Sequence, residues 1–157
     1  MKELYVFNPD TKSIVPAEQW LEDADPKRAQ LFGFKSGDGV LLMMKNPITE
    51  CSFAEAQKKA AKFKYEGTDM EFRCMTRREV IDYQDALDGG LLDLVKAIGG
   101  NVSGWIWTSE RDAEDGWFAR RNSVGYAWIF YSTYGYLNHY YVINAYRCQA
   151  VTLCRLG

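Results

Sequence analysis

Histidine is almost missing from this chain: His139 is the single one in 157 residues. That scarcity excludes most imidazole chemistry, because neither a Cys/His zinc site nor a multi-histidine centre can be assembled from one ring. No Asp or Glu lies within twenty residues of His139 in sequence, so a local general-base pair is also missing. The four cysteines, Cys51, Cys74, Cys148 and Cys154, show no C-x-x-C spacing. They read as buried, reduced thiols acting as small hydrophobes. A phosphate-cradling loop is absent too, since Gly33-x-x-x-Gly37-x-Gly39 lacks the Lys-Ser/Thr ending and the helix after it. The net charge is −2, and the arginine pairs Arg77-Arg78 and Arg120-Arg121 are not patches. Nucleic acid is therefore not an expected partner. No stretch approaches eighteen apolar residues, so membrane insertion by a helix is not expected either. The opening MKELYVFNPD has no secretory apolar run, and the expectation is cytoplasmic synthesis without a signal peptide. Together these gaps point away from turnover: no enzyme activity and no cofactor are expected.

One further absence is local. From Asn122 to Tyr146 twenty-five residues pass without an Asp, Glu, Lys or Arg, yet they hold seven of the ten tyrosines. Tyrosine mixed with Ser, Gly, Asn and His is the composition of antibody contact loops, where rigid amphipathic rings give area and small polar groups give adaptable hydrogen bonds. An aromatic β core with turns has the same composition, and both readings stand at this point. Just upstream, Glu110, Asp112, Glu114 and Asp115 form an acidic cluster. Its spacing matches no calcium loop, so it reads as a solvated turn and no metal is expected.

The rest of the chain has clear punctuation. Residues 2–7 and 39–45 read as strands, the second after a turn at Ser36 to Gly39. Pro16 to Gln30 is charged and irregular, with room for a short helix. Ser52 and Glu55 form one capping box, followed by Phe53, Ala56, Ala60 and Phe63 on one helical face. Thr76 and Glu79 form another, followed by Val80, Tyr83, Ala86 and Leu87, and Gly89-Gly90 ends that run. A third short helix is expected from Leu91 to Ile98. Trp105, Trp107 and Thr108 then suggest a strand, Ser109 to Gly116 a loop, and VTLCRL a closing strand. Strands at both ends with helices between predict an α+β chain whose termini pair in one sheet.

The order of these segments carries a resemblance. SFAEAQKKA, FRCMTRREV, WIWTSE, YAWIF, a Gly-containing polar-aromatic stretch and YRCQAVTLC follow one another over roughly residues 50 to 154. This order resembles the C-type lectin fold in its compact prokaryotic form, shared with formylglycine-generating enzymes and with the variable proteins of diversity-generating retroelements. The resemblance implies an α+β C-type lectin fold: an antiparallel sheet, two main helices and a long loop-rich C-terminal half. Residues 1–45 would be N-terminal strands or an extension packed on the domain. Residues 46–157 would be the lectin-like domain, with a variable region at about 117–146.

Three members of that group differ in what they need. Calcium-dependent sugar-binding lectins use Glu-Pro-Asn or Gln-Pro-Asp with Trp-Asn-Asp, and none of these triplets occurs. Formylglycine-generating oxidases use two cysteines separated by four residues, whereas Cys148 and Cys154 have five between them. Retroelement variable proteins are diversified at template adenines, which turns AAY codons into NNY codons that cannot encode Trp, Met, Lys, Glu or Gln. Residues 129–146 contain none of these five types. At their frequency in the whole chain, chance absence over that window is about one in a hundred. Trp128 falls outside the codon set and reads as scaffold. The resemblance therefore implies a receptor-binding or adhesion protein of phage or bacterial origin, whose partner is a protein or glycan on a target cell surface. Tyr131, Tyr134, Tyr136, Asn138, His139, Tyr140 and Asn144 are the contact residues, with Tyr126 and Ser132 as outer members. Assembly into a phage virion and oligomer formation are compatible with it. A formylglycine-type oxidase and a structural tail or fibre domain are the alternatives.

Overall fold

The structure is a computed structural model and describes residues 3–102, 104–111, 126–131, 136–141 and 146–155. The chain opens with β1 (Leu4–Asn8) and β2 (Ser13–Pro16), then α1 (Ala17–Asp23) and a 3-10 turn at Pro26–Arg28. A second hairpin, β3 (Leu31–Ser36) and β4 (Gly39–Met44), leads to β5 (Ile48–Cys51) and α2 (Phe53–Lys62). Next come α3 (Arg77–Ala86), a wide turn at Leu87–Leu91 and α4 (Leu92–Ile98). The remaining strands are β6 (Trp105–Arg111), β7 (Tyr126–Tyr131), β8 (Tyr136–Tyr141), β9 (Tyr146–Cys148) and β10 (Val151–Arg155).

These strands form two five-stranded sheets, ordered β10-β4-β3-β1-β2 and β5-β9-β6-β7-β8. The first is antiparallel throughout. It contains both the first and last strands, although β1 and β10 are separated by β3 and β4. The second is mixed, because β9 runs parallel to β6 through Ile106 and Arg147 while its other pairs are antiparallel.

Inner strands of each sheet are buried on both faces. In β4 all six residues are buried. Leu41 and Met43 belong to one apolar cluster, and Val40, Leu42 and Met44 to another. Ile106 and Phe130 join the first cluster with α1, α3 and α4; Trp107 and Ile129 join the second with α2. Period-2 alternation divides consecutive residues of one strand between two cores. Gly33 is needed where β3 meets β4, because a Cβ there would collide with the Leu41 carbonyl.

Both capping boxes form: the Ser52 and Thr76 hydroxyls accept from the backbone N–H of Glu55 and Glu79, whose carboxylates accept in return. Phe53, Ala56 and Ala60 are buried along α2, as are Val80, Tyr83 and Ala86 along α3. Gly90, at φ 113°, breaks the helical path between α3 and α4, a conformation that costs a side-chain-bearing residue dearly.

The simple two-helix, antiparallel C-type lectin arrangement expected from the resemblance is corrected here. There are three helical bodies among the described residues (α1, α2 and the kinked α3–α4 pair), and the second sheet contains a parallel pair. The reading missed β3 because Leu31, Phe32, Gly33 and Phe34 are all buried. A strand covered on both faces shows no apolar-polar alternation. The short helix for which Pro16 to Gln30 left room is α1, seven residues long and without a side-chain cap at Pro16.

Gly33→Ala should lower the thermal midpoint sharply, by the equivalent of at least roughly 1–3 kcal/mol, since backbone rather than a pliable side chain must move. A thermal melt followed by circular dichroism reads this directly.

Candidate functional site

Within the charge-free run, β7 pairs with β6. Thr108, fully buried, donates its hydroxyl proton to the Trp128 carbonyl at 2.7 Å. Its own carbonyl accepts from the Gln57 amide at 3.0 Å, which ties β6 to α2. Trp107 lies beside it with no exposure. Its indole N–H donates to the Cys51 carbonyl at 2.8 Å, and its ring packs edge-on against Phe53 and Tyr146. Tyr146, the last tyrosine of the run, is therefore a packing residue.

On the other face Arg77, the first residue of α3, lies over the Trp128 ring at 4.7 Å from its centre. Glu110 on β6 accepts from the Arg77 backbone N–H and lies 3.6 Å from its guanidinium. A carboxylate at a helix N-terminus is favoured by the helix dipole. Glu110 thus serves α3, while Asp112, Glu114 and Asp115 lie outside the described residues. No cluster of His, Cys, Asp and Glu among the described residues is arranged to hold a metal ion.

Six of the nine contact residues are placed by backbone register. Tyr126 and Tyr131 are the two ends of β7, and Tyr136, Asn138, His139 and Tyr140 lie along β8. Tyr131 pairs with Tyr136, Ile129 with Asn138, Trp128 with His139 and Ala127 with Tyr140. Tyr131 and Tyr136 are thus the one cross-strand pair within the predicted set among the described residues, whereas Asn138, His139 and Tyr140 lie opposite Ile129, Trp128 and Ala127. Ser132, Tyr134 and Asn144 lie outside the described residues. The inner positions of β7 are scaffold, since Ile129 and Phe130 are both buried.

Beneath this hairpin runs a cleft of about 150 Å³ between α3 and the strand pair, lined by Val80, Ile81, Gln84, Asp85, Phe130 and Leu137. Ile81 is 57% exposed at its lip. The buried carbonyl oxygen of the Gln84 side chain has no hydrogen-bond partner, while its amide donates to Asp88. Sequence reasoning assigned Val80 to the core and passed over Ile81. The adjacent apolar pair on a capped helix was the available signal, because one arc cannot bury both. A larger groove of about 490 Å³, lined in part by Leu4, Tyr5, Ala17, Leu21 and Leu94, shares no residue with β7 or β8.

Three of the four cysteines gather in the second core. Cys51, Cys74 and Cys148 are buried and free. The Cys74 and Cys148 sulfurs lie 4.0 Å apart, and the Cys148 thiol also points at the Ala56 carbonyl. Contact with Cys148 together with burial holds the Cys74 thiol far above the ordinary range. Burial pushes Cys51 up to about 11. Such thiols stay protonated and make poor nucleophiles at neutral pH. Cys154 is half-buried on β10, in the other sheet. The convergence of Cys74 on Cys148 has no local signature, because the two are 74 residues apart.

No protein-family model matches this chain, and no curated protein matches it.

The Cys51 shift has a pH consequence. The folded state holds the thiol neutral to about 11, against an ordinary value of 9.0, so its stabilising contribution is complete below pH 9 and is lost as pH rises through 11. Urea melts between pH 8 and 11 should show stability falling over that window, with a shallower slope in Cys51→Ala.

Proposed function

We propose that this chain is a ligand-binding protein that presents a tyrosine-rich, charge-free surface carried by β7, β8 and the segments around them. Its partner is a protein or glycan on a target cell surface, and binding needs neither metal nor cofactor. The observation that carries this reading is the separation of scaffold from display within one run. Ile129, Phe130 and the Trp128 carbonyl are fixed by the cores and by Thr108, while six of the nine predicted contact residues fall at the ends of β7 and along β8, the outermost strand among the described residues. Side chains on the outer strand of a sheet whose inner strands carry the packing can change at small cost, within about half a kcal/mol for a typical surface substitution. Tyrosine supplies anchors at such positions because a rigid ring buries much area for little lost rotamer freedom.

We infer further that the run is varied in the manner of retroelement variable proteins. The support is the absence of Trp, Met, Lys, Glu and Gln from residues 129–146. Sequencing this gene and its flanks across the source population tests that point. Substitutions confined to adenine-derived codons of residues 129–146, next to a near-copy template and a reverse-transcriptase gene, are the expected result. A uniform sequence with no template overturns diversification and leaves a binding site of fixed specificity.

Replacing Tyr134, Tyr136 and Tyr140 together by Ala tests display itself. Capture on an array of cell-surface proteins and glycans should be lost, with the thermal midpoint shifted by only a few degrees. Unfolding of the triple variant would make these rings core and end the display reading.

A further inference from the structure

Four strands lie at the edges of the two sheets: β2 and β10 in the first, β5 and β8 in the second. Natural proteins blunt exposed edges with short strands, prolines, charges, bulges or a covering segment, because an open ladder of N–H and C=O groups recruits another strand. Three of these four edges are blunted. β2 has four residues and ends in Pro16. β5 also has four; it carries Glu50 at φ 56° and its register slips between Ile48 and Cys51. β10 is covered at its start by the Arg73 segment, whose N–H and C=O both bond Val151, and it ends in Arg155.

β8 is different. Its six residues, Tyr-Leu-Asn-His-Tyr-Tyr, contain no proline, no lysine and no acid. Its pairing with β7 runs without a register slip from Tyr136 to Tyr141. Among the described residues no strand lies on its outer side.

We propose that β8 is the interface between two copies of this chain, paired antiparallel about a two-fold axis to join their second sheets. The occupant is a second copy because the strand meets its own image without like charges facing each other, a juxtaposition that destabilises strand pairs. The neutrality extends from residue 122 to 146 on both sides of the strand. Among the described residues each chain has one unblunted edge, so association closes at a dimer and does not propagate. Strand pairing consumes backbone groups in the plane of the sheet rather than side chains on its faces. The dimer would then carry two neighbouring tyrosine-rich surfaces, a gain in avidity for a target on a cell surface.

The test is sedimentation equilibrium of the whole chain at micromolar concentrations. The expected mass is twice 18.0 kDa. Asn138→Lys and His139→Lys, each at the centre of the strand, place a lysine near its own copy across the axis and should each give monomer. Asn138→Pro removes a backbone donor and should do the same. The two lysine variants decide the matter if the proline variant does not fold, and circular dichroism confirms that the variants tested are folded. A wild-type monomer, folded variants that all remain dimeric, or an open-ended series of larger species would each overturn the proposal. None of these results depends on ligand capture, so the binding reading stands or falls separately.

Discussion

Burial of β6 on both faces is the constraint from which the rest of the molecule follows. Ile106 sits in one core and Trp107 in the other, so both cores need this strand, and both need its neighbours in register. Trp107 has the most to lose: it is a fully buried indole whose N–H is satisfied only by the Cys51 carbonyl. An unpaired indole N–H at that depth would cost about 1–3 kcal/mol in addition to the packing. Fixing Trp107 therefore fixes β5, and through Phe53 and Tyr146 it fixes the start of α2 and of β9. The parallel contact of β9 with β6 follows from the same demand. The chain has to bring Tyr146 and Cys148 back beside Trp107 after the β7–β8 hairpin has been laid on the opposite side of β6.

Much of this was legible where the signal was local. The two S/T-x-x-E boxes marked the starts of α2 and α3, because the N-terminal N–H groups of a helix must find acceptors within a turn. Gly99, in the left-handed region, closed α4 where the sequence placed its stop. What failed was β3, whereas β4, buried along its whole length, was marked by the turn before it. Leu31 to Phe34 reads as a featureless apolar stretch, since each residue faces a core. The lectin-type resemblance rested on segment order, and segment order does not specify whether a returning strand pairs parallel or antiparallel. The site divided in the same way. The tyrosine-rich run is visible from composition, but the roles of Tyr146 as packing and of Arg77 as a cover for Trp128 depend on contacts between distant segments.

The cysteine cluster shows why composition alone misleads. An even count of four cysteines resembles a disulfide framework, yet Cys51, Cys74 and Cys148 pack as small apolar side chains around α2, with Ala56 and Ala60 between the same walls. Small residues are what that seam requires, because an α-helix packs closely on a sheet only where side chains are short. Contact between Cys74 and Cys148 raises the former thiol and lowers the latter, while burial raises Cys51.

The charge-free run and the open edge are linked by the same argument. A strand at a sheet edge is ordinarily protected by lysine, whose long chain and charge oppose pairing. A run varied through NNY codons has no lysine or glutamate to draw on, whatever selection asks of it. Asp, Arg and Pro remain open to such codons, but β8 carries none of them, so its edge must be managed by a covering segment or a partner strand. Inner strands do not face this problem, since β6 and β7 are paired on both sides and their variation is limited by packing instead. On the proposed reading, the displayed chemistry and the self-pairing edge are two results of one restriction on residue type. The restriction that leaves tyrosine available as a contact residue also removes the usual device that keeps such a strand single.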